Sequence, residues 1–243
     1  MHIIKVNATE STNSLAREWF NTNKNNSSIC IVANNQTSGR GQRGATWVSN
    51  AGENLTFSVI YPKPNVDISN QFLISAAVGL QIIKALEQLK INNLKLKWPN
   101  DIMADNFKIG GVLIENILQN NTIGASIIGI GLNINQVNFP DLPKATSLKN
   151  LTGTIYSTEE VLSIVLQQLE NMVLANDNQF FKNVHKDYEA NLFRKNKAST
   201  FQLKDGSFIV GIILGVNSSG LLRLKVENEE VRTYDLKELK LLF

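Results

Sequence analysis

At 243 residues the chain is long enough for one large domain with a buried core and a small second one. Its 43% hydrophobic and 19% charged residues are ordinary for a globular protein, and 24 basic against 21 acidic side chains are too balanced for a nucleic-acid stripe. A single cysteine excludes an intrachain disulfide, and with no apolar run of leader or membrane length the chain reads as a cytoplasmic protein.

In chain order, a short apolar start from Ile3 to Val6 gives way to Thr9-Glu10-Ser11-Thr12-Asn13. Leu15, Ala16, Trp19 and Phe20 follow at helical spacing, so the polar run marks a helix N-terminus. Ile29 to Ala33 reads as a buried strand, with Cys30 inside it as packing rather than as a nucleophile. From Asn34 to Asn54 the chain is polar and glycine-rich without a sustained period. A strand resumes over Leu55 to Tyr61 and ends at Pro62 and Pro64.

Ser69 to Lys90 is the longest amphipathic helix, with Phe72, Ala76, Leu80, Ile83 and Leu86 on one face. Strands are predicted over Leu94 to Trp98, Gly111 to Leu118 and Ala125 to Gly131, with a turn at Asp105-Asn106. Ser157-Thr158-Glu159-Glu160 opens a helix to about Ala175, and a second helix is expected from Phe181 to Phe193. Beyond Lys195 five short β runs alternate with Asp205-Gly206 and Ser218-Ser219-Gly220 turns. That pattern predicts a small all-β barrel appended to a sheet-and-helix domain.

Gly39-Arg40-Gly41-Gln42-Arg43-Gly44 matches the G-x-G-x-x-G dinucleotide fingerprint as a string. The fingerprint works only as a tight strand-to-helix turn. Here Asn34 to Ser38 separate the strand from Gly39, and Ala45 to Gly52 has no helical period. The dinucleotide reading therefore fails. What remains is a loop whose glycines admit close backbone approach and whose Arg40 and Arg43 can clamp phosphate or carboxylate. A plain surface loop is the bland alternative.

Other segments have bland readings when taken singly. Lys97-Trp98-Pro99-Asn100-Asp101 is core and turn, Lys108 before Ile109-Gly110-Gly111 a solvated flank, and Ser11-Thr12-Asn13 a helix cap. Gly129-Ile130-Gly131-Leu132-Asn133 puts an asparagine just past a strand. His2 and His185 have no metal-ligand spacing, so zinc is not expected.

Taken together and in order, these segments resemble biotin protein ligases, which attach biotin to a lysine of a carrier domain. The matching pieces are Glu10-Ser11-Thr12-Asn13, Gln36 to Gly44 with Trp47, Lys97 to Asp101, Lys108 to Gly111 with Glu115, and Gly129 to Asn133. The resemblance is strong over residues 1 to about 150 and looser beyond. It implies an α+β fold: a mixed β-sheet with helices packed on it, a class II synthetase-like biotin/lipoate ligase catalytic domain over residues 1–195. A small SH3-like β-barrel over 196–243 would follow.

The resemblance further implies two steps, with ATP and biotin as substrates and Mg²⁺ assisting. The biotin carboxylate attacks the ATP α-phosphate, giving biotinyl-5′-AMP and pyrophosphate. A lysine of the biotin carboxyl carrier, of acetyl-CoA carboxylase or another biotin-dependent carboxylase, then displaces AMP. Arg40 and Lys108 are the implied catalytic residues. Ser11, Thr12, Asn13, Gln36, Gly39, Gly41, Gln42 and Gly111 join them around biotin, whose apolar part would run along Trp98, Ile114 and Ile130. Arg43, Trp47, Asn100, Asp101 and Asn133 would hold the adenylate, with Asp101 also the implied Mg²⁺ or ribose contact.

Members of the family often carry arginine where this chain has Gln42, and a basic residue in place of Ala45. Gln42 is therefore expected to act through its backbone and amide. The glycine loop is expected to be mobile when empty. The motifs begin within the first dozen residues, so a ligase without a DNA-binding domain is expected, with no DNA or membrane partner, as a monomer or homodimer. The barrel is expected to close over ATP and meet the carrier. A lipoate or octanoyl-protein ligase of the same fold is the nearest alternative, and a non-enzymatic biotin-responsive binding module the next.

Overall fold

The computed structural model describes residues 1–23 and 27–243, apart from the side chains of Arg43 and Asn178. Strand β1 (His2–Thr9) runs parallel to β2 (Ile29–Gln36), with helix α1 (Thr12–Asn23) as the crossover between them. Strand β3 (Leu55–Pro62), helix α2 (Phe72–Gln88) and strands β4 (Leu94–Lys97), β5 (Asp101–Ala104), β6 (Phe107–Gln119) and β7 (Thr122–Leu132) follow. The seven strands make one mixed sheet in the order β1-β2-β3-β7-β6-β5-β4, antiparallel everywhere except β1–β2.

Helices α3 (Leu148–Thr152), α4 (Thr158–Ala175), α5 (Asn178–Phe181) and α6 (Val184–Ala190) complete this part. The expected helix from Phe181 to Phe193 is thus the shorter α6, with α5 ending where it was expected to begin. Phe181, Val184 and Tyr188 all stay buried, so the apolar stripe continues in phase although the helix breaks at Lys182-Asn183.

The two-residue alternation of the strands sorts the core into two layers. Cys30, Phe57, Val59, Tyr61, Ile128 and Ile130 face α2 and α4, whereas Ile29, Ile31, Ile60, Ala125 and Ile127 face Ala16 and Phe20 of α1. Burial pushes the Cys30 thiol up to about 12, which makes it an inert packing group. On the α1 side the residues of β7 shrink from Ala125 and Ile127 to Gly129 and Gly131. The same face that packs the helix therefore opens into a hollow beyond it.

Strands β8 (Ala198–Leu203), β9 (Phe208–Val216), β10 (Leu222–Lys225), β11 (Val231–Tyr234) and β12 (Leu239–Leu242) form a second, antiparallel sheet. Its order is β11-β10-β9-β8-β12, with a register shift at Arg223/Leu224. Phe201, Ile213, Leu222 and Leu224 belong to the same buried cluster as Leu96, Tyr188 and Leu192. No helix among the described residues is long and apolar enough to cross a membrane.

Candidate functional site

A cavity of about 280 Å³ opens on the α1 face of the main sheet. Its wall is built from the start of α1 (Ser11, Thr12, Asn13), the end of β2 (Gln36) and the glycine loop (Arg40, Gly41, Gln42, Trp47). Lys97, Asn100 and Asp101 from the β4–β5 turn, with Lys108 and Gly111 of β6, close it. Leu236, from the link between β11 and β12, reaches in from the second sheet. Nearly all of the residues implied by resemblance therefore converge on one hollow. Gly39 lies outside this lining and instead accepts from the Trp47 N–H (2.9 Å), tying the two arms of the loop together.

A neutral hydrogen-bonding cluster occupies the α1 part. Gln36 Oε1 accepts from the Thr12 backbone N–H (2.7 Å) and hydroxyl (3.1 Å), which leaves Gln36 Nε2 to donate to a ligand. Ser58, fully buried on β3, has its Oγ 2.7 Å from both Thr12 Oγ1 and Asn13 Oδ1. Sequence reasoning passed over it, although a serine in an otherwise apolar strand was the available signal.

Asn13 is implied as a ligand contact, but its amide is consumed by the scaffold. Its Oδ1 takes Ser58, and its Nδ2 donates to Leu113 O (3.3 Å) and Glu115 Oε2 (2.8 Å). A Cβ at Gly129 would lie 2.2 Å from Asn13 Oδ1, so only glycine leaves room for this side chain.

Charge gathers at the β4–β5 turn, where the Trp98–Pro99 peptide is cis. Asp101 receives Lys108 Nζ on Oδ1 (2.6 Å) and Lys97 Nζ on Oδ2 (2.9 Å). Burial alone would raise its carboxyl, but the two ammonium groups outweigh that and hold it below the usual carboxylate range. Each oxygen carries one lysine, so Asp101 positions both Lys97 and Lys108 at the cavity wall. No cluster of three or more metal-ligating side chains exists among the described residues. The lining sets Arg40, Lys97 and Lys108 against the single carboxylate of Asp101, while Glu115 pairs Arg40 from outside the lining, so the cavity wall is positive and calls for an anion.

The other adenylate candidates divide. The Trp47 ring lies against Gly131, where a Cβ would come within 2.4 Å of it, and Lys108 Nζ is 5.6 Å from the ring centroid. Trp47 also lines a second, adjoining cavity of about 540 Å³ with Lys97, Asp101, Lys108, Asn133, Phe139, Lys144 and Phe243. Lys97, Lys144 and Phe243 escaped sequence reasoning as site residues. Phe243 had no local signal; its ring receives Lys97 and Lys144 at 5.5 and 5.4 Å.

Asn100 Nδ2 donates to Val112 O (2.8 Å) and Asn133 Nδ2 to Thr146 O (2.9 Å), so each amide ties down a turn with one of its donors while lining a cavity. The Arg43 side chain lies outside the described residues. Gln42 Oε1 and Trp47 Nε1 are buried without a partner among the described residues, and each leaves an unmet hydrogen bond.

Two apolar expectations also change. Trp98 turns away from the cavity, its Nε1 donating to Gly220 O of the second sheet (2.8 Å). Ile114 packs into the α2-side core, because strand alternation turns it from the α1 face, whereas Ile130 belongs to that core and also lines the cavity. Leu113 is the β6 side chain on the cavity face.

The fold and cavity define a class: a mixed-sheet protein with a neutral recognition cluster beside an anion-binding one. A model of the Biotin/lipoate A/B protein ligase family matches residues 6–133, and the chain belongs to that family. The bifunctional ligase/repressor BirA of Bacillus subtilis is 28% identical to it over 238 residues, covering 95% of this chain and 71% of that protein. Biotin--[acetyl-CoA-carboxylase] ligase of Mycobacterium tuberculosis is 28% identical over 206 residues, 84% of this chain and 75% of that one. The solved structure of biotin protein ligase from Aquifex aeolicus in complex with biotin and ATP aligns at 27% identity with a TM-score of 0.81. It covers 99% of this chain and 98% of that chain.

Proposed function

We propose that this protein is an ATP-dependent, AMP-forming biotin protein ligase. The observation that carries the reading is the joining, in one cavity, of a neutral Ser11–Thr12–Gln36 cluster, backed by buried Ser58, with the cations Arg40, Lys97 and Lys108. A cyclic urea with a carboxylated tail needs both: donors and acceptors for its head, cations for its acid end. The Mycobacterium tuberculosis relative and the Aquifex aeolicus structure, both aligned over most of the chain, are biotin ligases by name, which favours biotin over lipoate.

In the first step a biotin carboxylate oxygen bonds to the α-phosphorus of ATP and the bond to the β-phosphate oxygen breaks, releasing pyrophosphate. Two anions must meet, and negative charge builds on the phosphoryl oxygens. Lys108, fixed by Asp101, answers both needs without reorganising, and Arg40 joins it as the glycine loop orders on the ligand. Trp47 would pack against the adenine side and Gln42 would serve through its backbone and amide. In the second step a carrier lysine amine attacks the acyl carbon, and AMP and a proton leave. No protein nucleophile is required. A divalent cation would be carried in with the MgATP substrate, and Asp101, the carboxylate in the cavity lining, is the residue that would hold it or the ribose.

In this reading residues 1–195 bind biotin and ATP, and 196–243 form an SH3-like barrel that closes over the nucleotide and meets the carrier of acetyl-CoA carboxylase or another carboxylase. Leu236 in the cavity wall supports that closure. The balance of 24 basic against 21 acidic residues supports a ligase without a DNA partner, and the reading is of a cytoplasmic monomer or homodimer. The test is incubation with ATP, a biotin carboxyl carrier domain, and either biotin or lipoate. Biotin-dependent pyrophosphate release followed by carrier biotinylation is expected; lipoate-dependent labelling alone would overturn the assignment.

A further inference from the structure

We infer that Glu115 is a positioning residue that aims the Arg40 guanidinium into the cavity and sets its distance from the neutral cluster. The inference rests on the biotin ligase reading above. Glu115 is on β6, on the same face as Leu113 and Gly111, yet stands behind the cavity wall rather than in it. Its carboxylate is three-quarters buried and accepts on Oε2 from Arg40 Nη2 at 3.3 Å. The same oxygen accepts from Asn13 Nδ2 at 2.8 Å, and Arg17 Nη2 lies 4.0 Å from Oε1.

The backbone bonds around Arg40 are internal to its loop: Gly41 N–H to Ala45 O, Trp47 N–H to Gly39 O, and the Arg40–Thr46 bridge. Among the described residues, Glu115 is the acceptor that the guanidinium finds on the sheet. Arginine carries five N–H donors, and this contact uses one. The rest of the fork is left for an anion in the cavity that Arg40 lines.

Arg40 is nearly half exposed, so its ion pair adds little to stability. Its consequence is orientation. Because Asn13 is wedged between Ser58 and Gly129, one carboxylate registers the arginine against the scaffold that also holds Thr12 and Gln36. A ligand whose head and acid end are a fixed length apart would meet both clusters at once.

The test compares Glu115→Gln with the wild type in three measurements: calorimetric affinity for biotin, for biotinol (the same head with an alcohol in place of the carboxylate), and biotin-dependent pyrophosphate release. Glutamine keeps an acceptor for Asn13 and removes the charge that draws Arg40. Biotin-dependent pyrophosphate release should fall about tenfold, the scale of one hydrogen bond to a charged group, while biotinol affinity stays unchanged. In an Arg40→Ala background, Glu115→Gln should add no further loss.

Equal losses for biotin and biotinol would make Glu115 a structural support only. Additive losses in the double variant, or no loss at all, would overturn the inference. A wild-type protein that releases no pyrophosphate with biotin would instead sink the ligase reading beneath it.

Discussion

Asp101 holds two lysines with one carboxylate, and its sign under titration follows from that. Its folded pKa lies below the value of about 4 for an unfolded aspartate. Its contribution to stability is therefore complete above about pH 4 and is lost as the pH falls through the lowered folded value. Urea denaturation should show stability independent of this group through the neutral range. Asp101→Asn should cost about 1–3 kcal/mol at pH 7, less at pH 3, because two partly buried ammonium groups lose their counter-charge. Equal costs at both pH values would contradict the pairing. Gly131 is the second sensitive position. A methyl group there would press within 2.4 Å of the Trp47 ring, which stands between the two cavities. Gly131→Ala should raise the KM for ATP about tenfold, the scale of a 1–3 kcal/mol overpacking cost, and leave biotin affinity close to wild type. A change in biotin affinity alone would place Trp47 in the wrong half of the site.

At the scale of elements, long apolar alternation and the 3.6-residue stripes made most strands and the helices α1, α2 and α4 legible in advance. Strand β5 was not legible: it has four residues, follows directly on the Pro99 turn, and returns the chain before any alternation accumulates. Strand β6 begins at Phe107, earlier than its sequence suggests, because paired neighbours tolerate Gly110 and Gly111 inside a sheet. The site was legible as a set of neighbours, since each motif sits where an element ends. The work of each side chain was not. Whether Asn13, Asn100 and Asn133 face a ligand or lock a turn depends on partners far away in sequence, such as Ser58 and Thr146. The glycine loop carries the prediction at this scale. It is held by internal backbone bonds, Trp47 and the Arg40–Glu115 pair, so its ordering depends on the ligand it grips. Trypsin should cut after Arg40 or Arg43 in the empty protein, and biotin with a non-hydrolysable ATP analogue should slow cleavage about tenfold. Identical cleavage rates would show that the loop is set before ligands arrive.

Across the whole molecule the two sheets share one core. Trp98 donates to Gly220, the Phe72 ring packs where a Cβ at Gly220 would sit, and Glu189 Oε1 accepts from the Val216 N–H (2.9 Å). Phe201, Ile213, Leu222 and Leu224 belong to one buried cluster with Leu96, Tyr188 and Leu192. Removing residues 197–243 would expose that surface, so the shortened chain is expected to lose its fold rather than report what the second sheet does for the carrier. The informative measurement leaves the chain intact. Scanning calorimetry should give a single transition with equal calorimetric and van't Hoff enthalpies, because unfolding either sheet alone bares the other's core. Since Leu236 of the second sheet lines the cavity, biotin and an ATP analogue should move that one transition as a unit. At a hundredfold excess over Kd the gain is about 2.7 kcal/mol, or about 5–10 °C in Tm for a chain of this length. Two transitions, with ligands shifting only the larger, would mean that the second sheet folds independently and that its place at the cavity contributes nothing to binding.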